Sequence, residues 1–144
     1  MPADLRPDAP TQLEAQAGGF LHRRARLARA LVVIVLGGLS VSHFWHGSVP
    51  GLVGDALYAV MVFLLVALAA PRTRAVAVGG IAFGLCVIIE LAQLTGVSAA
   101  VVQAWWPARY LLGTTFQSLD LVAYAVGAGS AALLDRLAAG HRSG

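Results

Sequence analysis

The 144-residue chain has no lysine, no asparagine and a single cysteine, Cys86. One thiol inside an apolar run cannot close an intrachain bridge, which excludes a disulfide scaffold. Charged residues are also scarce, at 12% of the chain, about half the usual quarter. That excludes a charge-rich disordered chain and a coiled coil with charged flanks. What fills the chain instead is apolar: 58% hydrophobic, and about two-thirds when glycine is counted and tyrosine left out, against about 45–50% for soluble domains. A soluble globule of this size keeps about 30% of its unfolded surface exposed, which this composition cannot cover with polar groups. The length allows one domain, and the apolar surplus points to a bilayer as its solvent. Missing lysine and asparagine beside abundant alanine and glycine fits a GC-rich bacterial genome.

Residues 1–26 carry Asp4, Arg6, Asp8, Glu14 and three of the six prolines without a periodic apolar face, and read as an irregular basic tail. His22, Arg23, Arg24, Arg26 and Arg29 then precede the first apolar run, Ala30 to Trp45. No small-x-small cleavage site follows, so this run reads as a retained helix rather than a secretory signal. Three further stretches are Asp55 to Ala70, Ala75 to Thr95 and Leu119 to Leu134. At 1.5 Å per residue, runs of about 16 to 21 residues span some 24–32 Å, enough for a hydrocarbon core of about 30 Å. Gly47 to Gly54, with Pro50, and Pro71 to Arg74 read as the separators. The expected fold is an all-α membrane protein: four transmembrane helices over residues 27–136, and a short tail over 137–144.

Nine of the ten arginines fall before the first stretch, between the second and third, or after the fourth. The positive-inside rule places that side in the cytoplasm, so both termini are expected there, in a bacterial inner membrane. Topology and attraction to anionic headgroups account for the arginine cluster, and no nucleic-acid partner is expected.

The remaining polar residues then collect in the opposite leaflet. Asp55 opens the second stretch, Glu90 and Gln93 lie late in the third, Arg109 follows it, and Asp120 opens the fourth. Asp55 and Asp120 at helix starts have an ordinary explanation, since each complements the positive end of a helix dipole. Glu90 has none, because an anion near a helix C-terminus opposes the dipole and a charge at bilayer depth costs roughly 2.5–3.5 kcal/mol. Two readings stand: a functional carboxyl, or a structural pair with Arg109. Gly79, Phe83, Cys86, Glu90 and Gln93 share one helical stripe, with Gly80 and Gly84 as a small-xxx-small pair beside it. Asp120, Tyr124, Gly127 and Ala131 make a second stripe, and Asp55 with Tyr58 repeats the acid-plus-tyrosine pattern. Each tyrosine either donates its hydroxyl into a shared cavity or belongs to an interfacial belt.

The 96–118 segment is long for a bundle loop. Val97 to Trp106 is expected as an amphipathic helix, interfacial or re-entrant, with Trp105 and Trp106 at headgroup level and Pro107 as its stop. It reads either as a lid or as a plain anchor. His43 and His46, with Asp55, have the spacing of a metal face, but two histidines beside Phe44 and Trp45 are commoner at an aromatic interface, and neither metal nor cofactor is expected.

The runs Gly54-Asp-Ala-Leu-Tyr-Ala59, Ile89-Glu-Leu-Ala-Gln-Leu94 and Arg109-Tyr-Leu-Leu-Gly113, continued by Phe116, Asp120, Ala123, Tyr124 and Gly127, resemble a bacterial membrane family catalogued as domain of unknown function 2809. The resemblance covers about residues 27 to 135 and implies that Asp55, Glu90, Gln93, Arg109 and Asp120 are motif positions. The order glutamate-x-x-glutamine, arginine, aspartate is also similar to the broader VanZ-like group, which is associated with low-level teicoplanin resistance. There the usual aspartate-x-x-x-asparagine-x-x-glycine is replaced in this chain by Asp120, Tyr124 and Gly127.

These readings point first to a binding module for an amphiphile or lipid-linked envelope head group, or a lipoglycopeptide. Asp55, Tyr58, Glu90, Gln93, Arg109, Asp120 and Tyr124 are its expected contacts. The alternatives are an intramembrane enzyme with Glu90 as acid or base, and an accessory subunit. Membrane lipids are expected partners, and the glycine faces permit a homo-oligomer.

Overall fold

The computed structural model describes residues 12–44, 48–108 and 117–140. Among these residues there are five α-helices and no strand: α1 (Gln12–Phe44), α2 (Ser48–Ala69), α3 (Ala75–Leu94), α4 (Val97–Ala104) and α5 (Ser118–Gly140), with a 3-10 turn over Trp106–Ala108. Three segments are long and apolar enough to cross a membrane: Gly51–Ala69 in α2, Ala75–Leu94 in α3 and Ser118–Gly140 in α5. Their outer surfaces carry Leu65, Ile81, Ile88, Val122 and Val126 exposed, side chains suited to acyl chains rather than water.

Two of the long helices, α1 and α2, start earlier than the apolar pattern suggests, while α3 starts at the expected Ala75. α2 runs from Ser48, through the Gly51 and Gly54 expected in a separator. Two causes act together: Pro50 sits in the first turn, where its missing N–H is one of the groups without a helical partner anyway, and non-helical backbone at membrane depth leaves polar groups unpaired. α1 starts at Gln12, so the second half of the expected irregular tail is helical. Its leucine, glutamate, glutamine, alanine and arginine residues are good helix formers. Residues 1–11 and 141–144 lie outside the described residues.

α5 packs on both α2 and α3, α2 also packs on α3, and α1 lies against α2. Small residues set the spacing. Ala59, Ala67, Val78, Ala82, Cys86, Ala128 and Ala131 are buried around Phe63 and Tyr124. A Cβ at Gly127 would run into the Ala56 carbonyl, so α5 crosses α2 with backbone nearly touching backbone. Gly79 sits against the Ala132 methyl group of α5, which lies 3.0 Å from where a Cβ at residue 79 would stand. The expected Gly80 and Gly84 pair does not make such a contact. Among the described residues, no atom lies within 4 Å of a Cβ at either.

The α2–α3 turn is closed by Thr73 N–H donating to Ala70 O (3.1 Å), and Arg74 is extended at φ −64°, ψ 140° before α3 begins. α3 ends with Gly96 N–H donating to Gln93 O (3.2 Å) and Gly96 at φ 73°, a conformation that favours glycine. The chain turns there into α4. That helix stops at Ala104, before Trp105 and the 3-10 turn containing Pro107, and both tryptophans are exposed.

Candidate functional site

The start of α2, the end of α3 and the start of α5 meet at one end of the bundle, and each brings a carboxyl group. Asp55 lies two turns inside α2 rather than at its opening, which removes the helix-dipole explanation, since that effect fades within the first turn. Asp120 does lie in the first turn of α5 and is 7% exposed. Asp55 and Asp120 thus sit on the two helices that cross closely at Ala56 and Gly127.

Glu90 arrives from α3 and is the most buried acid of the three, at 1% exposure. Both of its oxygens are held. The Gln117 backbone N–H donates to Oε1 at 2.8 Å, and the Tyr124 hydroxyl donates to Oε2 at 3.0 Å. These bonds answer part of the question raised by a carboxyl late in an apolar helix: protein donors from the other side of the bundle meet it. Arg109, the partner expected from sequence, lies outside the described residues. Tyr124 is buried and Tyr58 half-buried, with ring centroids 6.3 Å apart and a tilt of 56°. Tyr124 therefore does put its hydroxyl into the cluster, while Tyr58 packs against its ring. Gln93 is half-buried one turn beyond Glu90, with its side-chain oxygen inside the protein.

Of the expected residues, the structure brings together Asp55, Glu90, Asp120 and Tyr124, with Tyr58 at their edge. The His43 and His46 face is not assembled among the described residues: His43 is exposed and stacks edge-on against Phe44 at 4.9 Å, and His46 lies outside them. No group of three histidine, cysteine, aspartate or glutamate side chains there is placed to hold a metal.

One participant escaped the sequence reading. The Gln117 donor is a backbone N–H at the threshold of α5, and a backbone group leaves no residue signature.

The three carboxyls stand in a medium where like charges repel strongly. Two unit charges 4 Å apart cost about 4 kcal/mol at an effective dielectric of about 20. An acid cluster held by close helix crossings is thus complementary to a cation or to several hydroxyl donors.

The class so defined is a small helical membrane protein with a carboxyl cluster buried at one end of its apolar spans. The chain belongs to the family described as protein of unknown function (DUF2809), whose profile matches residues 44–128. No curated protein and no solved structure matches it. The matched stretch holds every acid of the cluster.

Proposed function

We propose that the protein is a membrane-embedded binding module that receives the polar head group of an amphiphile at the Asp55, Glu90 and Asp120 cluster. The observation carrying this reading is the convergence of three carboxyls from three helices, at a depth where charge is expensive and a purely structural role needs fewer of them. Asp55 and Asp120 accept amine or sugar hydroxyl donors, Tyr124 and Glu90 hold the wall, and Arg109 grips an anionic group on the same ligand. The exposed Trp105 and Trp106 beyond α4 cover the boundary between head group and acyl chain, which makes α4 an interfacial lid. Binding is favoured over turnover because both Glu90 oxygens are engaged by protein donors.

In this reading the apolar part of α1 is a fourth membrane span. The arginine-rich side lies in the cytoplasm with both termini, and the acid cluster faces the outer leaflet of a bacterial inner membrane. A reporter that works only in the cytoplasm is then active when fused at either end. The VanZ-like resemblance adds a lipid-linked envelope precursor or a lipoglycopeptide as the ligand. The test is lipoglycopeptide susceptibility and surface binding in a sensitive host carrying wild type, Glu90→Gln or Arg109→Ala at matched membrane levels. Protection by wild type that both variants lose is expected. A well-expressed wild type that protects no better than an empty vector overturns the antibiotic part of the reading.

A further inference from the structure

The opposite end of the bundle holds a cavity of about 590 Å³, lined by Arg23 of α1, Thr73 and Arg74 of the α2–α3 turn, Val76 of α3, and Asp135 and Arg136 of α5, among others. One wall is fixed. Arg23 Nη2 donates to Asp135 Oδ2 at 2.7 Å and Nη1 donates to Pro71 O at 3.0 Å, which ties α1, the turn and α5 together. Three arginines and one aspartate give the lining a formal charge of +2, and the aspartate is already engaged by Arg23.

The second observation is a mismatch at the start of α3. Its N-cap residue is Arg74, which makes no side-chain capping bond, and its first turn contains no acid. A guanidinium at the positive end of a helix dipole has the wrong sign for the helix's own stability. Ala75 and Val76, whose N–H groups belong to that first turn, line the same cavity. An anion placed there would satisfy the helix end and the arginines together. The cavity also lies between the Ala69 end of one apolar span and the Ala75 start of the next, with the exposed Val76 in its lining.

We infer that this cavity binds a phosphate group, held by Arg74 and Arg136 against the wall that Arg23 and Asp135 brace. Guanidinium forks match phosphate oxygens in pairs, and the volume admits a glycerophosphate head group as well as free phosphate. The site is independent of the acid cluster.

The full chain in neutral detergent is titrated with phosphatidylglycerol, with phosphatidylcholine and with inorganic phosphate, and binding is read by native mass spectrometry. Phosphatidylglycerol binding is expected to fall about tenfold for each arginine removed in Arg74→Gln and Arg136→Gln. The Arg29→Gln, Arg72→Gln double variant alters two exposed arginines outside the lining and is expected to bind as wild type does. Arg74→Lys with Arg136→Lys preserves charge and folding while removing the forks, and is expected to fall in between. Displacement of the lipid by inorganic phosphate identifies a soluble source for the group, and retention of the lipid against it identifies the headgroup. Undiminished binding in the Arg74→Gln, Arg136→Gln double variant, or an equal loss in the Arg29 and Arg72 control, overturns the site.

Discussion

At one end of the bundle Asp55, Glu90 and Asp120 meet across three helices, with Glu90 and Asp120 buried; at the other, Arg23 and Asp135 bridge helices with 20% and 13% of their side chains exposed. The first end depends on backbones crossing closely enough to bring short acids to one place. The second depends on long side chains reaching across gaps between helices. The family match covers the three cluster acids and, at the other end, Arg74 but neither Arg23 nor Asp135. The same few helices thus keep one end tight and polar inside, while the other is open and held by a clamp.

The contrast breaks most severely at the α2–α5 crossing. Gly127→Val places a Cβ against the Ala56 carbonyl, and the helices must separate, at a cost of about 3 kcal/mol or more. Unfolding in mixed micelles measures it. Glu90→Ala comes next. It strands the Tyr124 hydroxyl and the Gln117 N–H in a buried site, for a loss of about 2–4 kcal/mol, whereas Tyr124→Phe removes one bond and loses about 1 kcal/mol. The arginine end is the least sensitive. Arg23→Gln is expected to cost about 1 kcal/mol or less, and to be weakened by salt in wild type, because the pair is partly solvated. An Arg23→Gln effect as large as that of Glu90→Ala would erase the distinction between the two ends.

Much of the acid end was legible. The succession of apolar stretches put Asp55, Glu90 and Asp120 at one end of the bundle, and the helical stripe through Gly79, Cys86 and Glu90 matches the buried face of α3. Tyr124 followed from the stripe it shares with Asp120. Other features had no local signal. Gly79, rather than Gly80 or Gly84, makes the close approach, because helix rotation is set by the neighbour and not by glycine spacing. The Arg23 and Asp135 pair joins residues 112 positions apart, a distance at which charge patterning is silent. Asp55 resembled a helix cap because a glycine-rich segment before it reads as loop in water, while a bilayer keeps it helical.

The central claim, that the acid cluster holds an amphiphile's head group, is tested most directly by the lipids that copurify with the protein. Wild type, the Asp55→Asn, Asp120→Asn double variant and the Arg74→Gln, Arg136→Gln double variant are purified in parallel and their extracts compared by mass spectrometry. The account predicts a species carrying amine or sugar groups that is present in wild type and in the arginine variant and lost from the aspartate variant. The same bound species in all three, with the aspartate variant folded, would contradict it.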